Sequence, residues 1–185
     1  AELSEPLCGR ARPGHFAGVA LVVAKLLNIV APDVSVFGQK DAQQAVVVRR
    51  LARDLDLPGE IVVAPTVRDP DGLAMSSRNA YLSEEERRAA LAISRGLFAA
   101  AEAWRAGERD PGGLVATVRR AVEAEPLLAL EYVEIVGTED LAPWRGQRDA
   151  LLAVAARAGS ARLIDNVILE AAPVPAASGA HREGG

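Results

Sequence analysis

From residue 17 the apolar positions repeat with a helical period. Val19, Val22, Val23, Leu26, Leu27 and Val30 fall at i, i+3, i+4, i+7, i+8 and i+11. This spacing predicts a helix over 17–30 with one apolar face, ended by Pro32. Val34-Ser35-Val36-Phe37 is short, β-branched and apolar, and predicts a buried strand. After Gly38-Gln39-Lys40-Asp41, the positions Val46, Val47, Leu51 and Leu55 predict a helix over 42–55 with Asp41 as its cap. Pro58-Gly59 marks a turn, and 60–64 reads as a second strand stopped by Pro65. Two short strands joined by a helix predict a parallel βαβ unit with a right-handed crossover. Two strands are too few for a doubly wound sheet, so the unit reads as half of one.

The pattern then changes. Residues 66–82 read as loop, with a strong turn signal at Asp69-Pro70-Asp71-Gly72. Ser83 to Glu86 matches a capping box and opens a long helix to about 106. Asp110-Pro111 starts another helix, to about 125, with proline at its first position. Residues 130–136 predict a strand, and 151–157 and 162–169 predict two more around the hairpin signature Ala158-Gly159-Ser160. This second region predicts α+β architecture with an antiparallel sheet. Residues 1–13, with Pro6, Gly9 and Pro13, read as irregular, and the Pro-, Ala-, Gly- and Ser-rich tail 171–185 as disordered. The expected organisation is therefore α/β over 1–66, α+β over 67–170, and a tail.

Composition narrows the functional classes. With 185 residues, 50% hydrophobic and 25% charged, the chain has globular proportions and the length to bury a core. A net charge of −4 argues against a nucleic-acid partner. Cys8 is the single cysteine, which excludes an internal disulfide and points to a cytoplasmic setting. Two histidines and one cysteine cannot build a Cys/His zinc cluster. No apolar run approaches the ~20 residues of a membrane span. The absent initiator Met suggests a processed or cut product.

In parallel α/β sheets, ligands bind beyond the carboxyl ends of the strands. Gly38 to Asp41 and Thr66 to Arg78 lie there. Of the 21 basic residues only Lys25 and Lys40 are lysines, and Lys40 sits at this edge. A compact ammonium, a glycine that lets backbone approach and a helix N-terminus all suit a phosphate. The alternative is a solvated lysine before a helix. Met75-Ser76-Ser77-Arg78 offers two hydroxyls and a guanidinium, a match for phosphate oxygens. Its alternative is a polar linker into the capped helix. Gln43-Gln44 and Arg12-Pro13-Gly14-His15 are weaker candidates of the same kind. No nucleophilic triad is apparent.

Several blocks together carry a family likeness. Arg12 to Phe16, Phe37 to Asp41 with Gln43-Gln44, Asp71 to Asn79 with Tyr81-Leu82, and Arg162 to Asn166 occur in that order. They resemble the pantothenate synthetase (pantoate–β-alanine ligase) family, over about residues 10–170. The resemblance implies the second half of a Rossmann-like parallel-sheet domain that binds ATP and pantoate, followed by a smaller α+β C-terminal lid. It implies condensation of pantoate with β-alanine through pantoyl adenylate, using ATP and Mg2+ and releasing AMP and pyrophosphate. By the same resemblance Gly38, Gln39, Lys40 and Asp41 bind ATP, with Lys40 on the phosphates. Val67 and Met75 line the adenine pocket. Ser76, Ser77 and Arg78 hold the phosphates, and Lys40 acts with them in catalysis. Gln44 holds pantoate.

Two departures stand out. Gln39 occupies a position where the family usually has Glu. The family's N-terminal Met-Gly-x-Leu-His-x-Gly-His stretch has no counterpart in these 185 residues. The expectation is a C-terminal part of such an enzyme, a homodimer when complete, which works with a separately supplied N-terminal half. The alternative is a non-catalytic remnant that binds nucleotide weakly or binds only protein.

Overall fold

The computed structural model describes residues 2–146 and 148–171. The expected disordered tail lies, from residue 172, outside the described residues. A short helix α1 (Cys8–Ala11) precedes α2 (His15–Val30), β1 (Val34–Gly38), α3 (Ala42–Asp54) and β2 (Glu60–Ala64). Then follow α4 (Glu84–Arg105), α5 (Pro111–Glu123) and the strands β3 (Leu128–Gly137), β4 (Ala150–Ala158) and β5 (Ala161–Leu169). Strands β1 and β2 pair in parallel, Val34 opposite Glu60 through Gly38 opposite Ala64. Strands β3, β4 and β5 form a separate antiparallel sheet in that order. The two architectures predicted from the periodicity are both present.

Local chemistry sets the boundaries in the second region. Ser83 accepts from the Glu86 amide at 3.2 Å while Glu86 accepts from the Ser83 amide at 2.8 Å, a complete capping box. The Asp110 carboxylate accepts from the amides of Gly112 and Gly113, and Pro111 occupies the first helical position. Gly159 takes a left-handed φ of 53° in the two-residue link between β4 and β5.

The antiparallel sheet is covered on both faces. Leu152, Val154, Leu163 and Leu169 pack under α4 and α5 with Leu97, Leu114 and Val118. On the other face Leu151 and Ala153 meet Leu7 and Val46, so α3 and the N-terminal segment close that side. Strand β4 is accordingly buried at every position but Arg157. Its run of small apolar residues suits a strand with no solvent face.

Five expectations need correction. Residues 1–13 are not simply irregular: α1 forms there, and the buried Gln43 side chain ties the segment down. Gln43 donates to the carbonyls of Leu3 (3.0 Å) and Pro6 (2.7 Å) and accepts from the Cys8 amide (3.0 Å). The apolar face of α2 is not a core face here, because only Phe16 and Leu27 of that helix are buried. Leu21, Val22, Leu26, Ile29 and Val30 are exposed, as are Val34 and Val36 on β1, so β1 is not buried either. Asp41 stands at the cap position of α3, but its side chain makes no capping hydrogen bond. Finally, the loop 66–82 contains a miniature hairpin. Met75 donates to the Val67 carbonyl (3.0 Å), Asp69 to that of Leu73 (2.8 Å) and Gly72 to that of Asp69 (2.8 Å). Arg87 of α4 holds its tip through Asp69 and Asp71, each at 2.8 Å. A short 3-10 turn, Ser77–Tyr81, follows.

Candidate active site

A cavity of about 510 Å³ opens beyond the carboxyl end of β1, between the parallel edge and the antiparallel sheet. Lys40, Asp41 and Gln44 reach it from the loop after β1 and the first turn of α3. Arg78 reaches it from the turn after the hairpin, and Arg12 and His15 from the entry to α2. Two segments far apart in sequence thus bring a lysine and an arginine to one space. That is what an anion such as a phosphate requires.

The other expected residues lie around this space. Ser76 shares a narrow crevice with Lys40. Its hydroxyl accepts from the Arg78 amide at 3.2 Å and keeps its own proton to donate. Met75, Ser76 and Ser77 line an adjoining open depression. Val67 and Met75 are neighbours across the hairpin, and both side chains are more than half exposed. They form an open apolar ledge. Gly38 has ordinary extended backbone (φ −80°, ψ 134°), and a methyl group there would meet nothing within 4 Å. Nothing in the chain itself requires glycine at that point, which leaves room for a ligand to lie against the backbone. The Gln39 side chain turns to Asn166 at 3.3 Å. Gln43, weighed beside Gln44, is committed to holding the N-terminal segment.

The far wall comes from residues that sequence reasoning did not assign. A β-bulge between Leu130 and Tyr132 interrupts β3 beside the cavity. Glu131 accepts from Arg162 (2.7 Å) and Arg157 (2.9 Å), and Tyr132 Oη lies 3.2 Å from Cys8 Sγ. Burial, and then the Cys8 thiol, push the Tyr132 phenol well above its ordinary range, so it stays protonated. Burial would lower the Arg162 guanidinium, but its bonds to Cys8 and Glu131 outweigh that and raise it further. Burial, then the Arg12 charge, hold the His15 imidazole below its ordinary 6.5, with Asp41 pulling the other way. The nearest signal for this wall in the sequence was the block Arg162 to Asn166.

Among the described residues no group of three or more His, Cys, Asp or Glu side chains could hold a metal ion, so no all-protein magnesium cage exists there. Mg2+ ordinarily needs only one or two carboxylates when substrate phosphates supply the rest. Asp41 is an exposed carboxylate at the cavity and fits that role. Among the described residues no helix is long and apolar enough to cross a membrane.

Fold and site together define an α/β protein with a cation-lined cavity at the carboxyl edge of parallel strands, walled by an α+β unit. The Pantoate-beta-alanine ligase family model matches residues 1–168, and the chain belongs to that family. It is 58% identical over 174 residues to pantothenate synthetase 1 of Bradyrhizobium diazoefficiens, covering 93% of this chain and 61% of that protein. It is 55% identical to the pantothenate synthetase of Pelotomaculum thermopropionicum, covering 90% and 60%. A crystal structure of pantothenate synthetase from Thermus thermophilus superposes with a TM-score of 0.86 at 44% identity, covering 90% and 60%. The Francisella tularensis pantoate-beta-alanine ligase, complexed with Beta-gamma ATP and β-alanine, superposes with a TM-score of 0.65 at 30% identity, covering 94% and 58%. The chain therefore spans about 60% of the length of the relatives it matches.

Proposed function

We propose that this chain carries the ATP- and pantoate-binding face of a ligase that condenses pantoate with β-alanine to pantothenate. The observation that supports it best is the meeting of Lys40, Arg78 and Gln44 at one cavity. The pantoate carboxylate attacks the α-phosphate of ATP, giving pantoyl adenylate and pyrophosphate. The β-alanine amine then attacks the acyl carbon and expels AMP. The first step brings a carboxylate against a triphosphate. Lys40 and Arg78 offset that repulsion, and Ser76 and Ser77 donate to phosphate oxygens as charge shifts toward pyrophosphate. Gln44 orients pantoate by hydrogen bonding. Gly38, Gln39 and Asp41 offer the ribose backbone and side-chain partners, and the Val67–Met75 ledge receives adenine. Mg2+ would supply further charge neutralisation on the phosphates, with Asp41 beside it. No enzyme nucleophile is needed.

A second reading rests on the exposed face of α2 and β1. We infer that this apolar surface is where a complementing N-terminal half packs, and that without it the chain binds nucleotide weakly. The complete enzyme is read as a cytoplasmic homodimer, the compartment being supported by the single cysteine.

The test is AMP release from ATP, pantoate and Mg2+, with and without β-alanine, by the chain alone and with an added N-terminal half. β-Alanine-dependent AMP in either mixture supports ligation, and none in both overturns it. Lys40→Ala is expected to weaken ATP binding or turnover at least roughly tenfold, the scale of a charged contact. An unchanged ATP titration would return Lys40 to an ordinary surface lysine.

A further inference from the structure

The loop that carries Lys40 and the hairpin that leads to Arg78 are each fastened to one of two adjacent residues of β5. Asn166 is buried, and its side-chain amide donates to the carbonyls of Gln39 (2.9 Å) and Lys40 (3.0 Å). Its side-chain oxygen accepts from Gln39 Nε2. The preceding residue, Asp165, is also buried and takes both terminal nitrogens of Arg68, at 2.6 and 2.9 Å. Arg68 lies in the 67–75 hairpin, donates to the Gly72 carbonyl at 3.1 Å, and sits over the Phe98 ring at 4.8 Å.

Successive residues of a strand point to opposite faces. Asp165 is paired with Val154, whose side chain packs under α4, and Asn166 with Ala153, whose side chain meets the α3 side. One face of the strand thus holds the hairpin and the other holds the Lys40 loop. The Asn166 backbone N–H donates to Asp165 Oδ1 at 2.8 Å, which joins the two anchors directly. Neither side chain is needed to complete the sheet, because the backbone β4–β5 ladder runs continuously through both positions. A buried carboxylate and a buried amide are costly choices in such a strand unless something outside the sheet uses them.

We propose that Asp165 and Asn166 are positioning residues, a joint that fixes the spacing between the Lys40 loop and the 67–75 hairpin, which leads directly into the turn that carries Arg78 and is tied to it by the Asn79 side chain on the Ala74 carbonyl. This rests on the reading of Lys40 as a phosphate contact, but the joint can be tested apart from that reading. A rigid pair of cations is preorganised for its anion, whereas a loose pair must be ordered at each binding event.

Hydrogen exchange on the 185-residue chain tests the joint without any ligand. Asn166→Ala is expected to speed exchange over 38–42 by roughly tenfold, leaving β4 and α4 unchanged. Arg68→Lys keeps the charge but loses the two-pronged geometry, and is expected to loosen 67–75 in the same way. Unchanged exchange in these segments overturns the joint. So does faster exchange that spreads evenly through the sheet, since the residues would then be ordinary stabilisers. ATP titration of the wild type, Asn166→Ala, Lys40→Ala and the double variant then tests what the joint serves. The expected result is that Asn166→Ala weakens ATP severalfold when Lys40 is present and adds nothing when it is absent. Equal losses in both backgrounds overturn positioning through Lys40. Equal ATP affinity in wild type and Lys40→Ala overturns the phosphate reading instead, while the exchange result still decides the joint.

Discussion

The parallel edge and the antiparallel sheet both carry helices with an apolar face, yet they bury it to different degrees. In α4 the apolar positions Ile93, Leu97, Ala100 and Trp104 all face a core completed by α5 and the sheet. In α2 the same kind of repeat leaves Val22, Leu26 and Val30 in solvent. The β1–β2 sheet has two strands, and the exposed side chains of β1 continue that surface. Helical periodicity therefore reports that a face is meant for packing, not that its partner lies within the same stretch of chain. The chain spans about 60% of the length of the relatives it matches, and the complementing half proposed above would cover the bare face. The contrast also separates two kinds of stability in the molecule, one internal to the chain and one that depends on what covers α2.

The largest effect should come from a paired test of that difference. Leu97 is fully buried. Leu97→Ala should cost about 2–5 kcal/mol of unfolding free energy, the lost transfer energy plus a cavity. Ile29 is 75% exposed. Ile29→Ser should change stability by no more than about 0.5 kcal/mol in the isolated chain. Urea unfolding of both variants decides it. A large loss at Ile29 would mean that the face is already covered in solution, and the contrast would fall.

A smaller effect should separate the helix starts. Ser83→Ala removes one half of a formed capping box and should cost about 1 kcal/mol. Asp41→Ala removes no capping bond and should cost only a few tenths of that, or nothing. Equal losses in thermal unfolding would show that Asp41 caps α3 after all.

The fold was legible wherever the signal was local. The capping box at Ser83, the proline at 111, the Gly159 hairpin and the periodicity of α3 and α4 each depend on residues within a turn or two. What escaped was long-range. Nothing near Gln43 announces that its amide will hold Leu3 and Pro6, some 40 residues earlier. Arg68 and Asp165 are 97 residues apart, and their pairing exists only once β5 lies beside the hairpin. The candidate site divides the same way. Lys40 and Ser76 to Arg78 stood out by type and place, and the structure sets Lys40 and Arg78 on one cavity. Of the wall formed by Cys8, Tyr132 and Arg162, only Arg162 lay in a block the sequence singled out, because its members come from three separate segments.

The smallest effect concerns pH and distinguishes the two regions by when they weaken. His15, at the start of α2, has its pKa lowered from 6.5 by burial and then by Arg12. A lowered value means that the unfolded chain binds more protons between the folded value and 6.5. The His15 contribution to stability is therefore complete above 6.5 and is lost as pH falls through the lower folded value. Asp71, on the hairpin that α4 clamps, is lowered from 3.8 by the Leu73 amide first and by Arg87 after it. Its contribution is complete above 3.8 and is lost only as pH falls below that, through its folded value. The parallel edge should thus soften in mild acid while the hairpin clamp still holds. Thermal midpoints measured from pH 8 to pH 3 on wild type, His15→Gln and Asp71→Asn should resolve the two. His15→Gln should remove the part of the decline that begins below 6.5, and Asp71→Asn only the part below 3.8. If the His15→Gln profile overlays the wild type, the imidazole does not distinguish the regions, and mild acid would have to act on both alike.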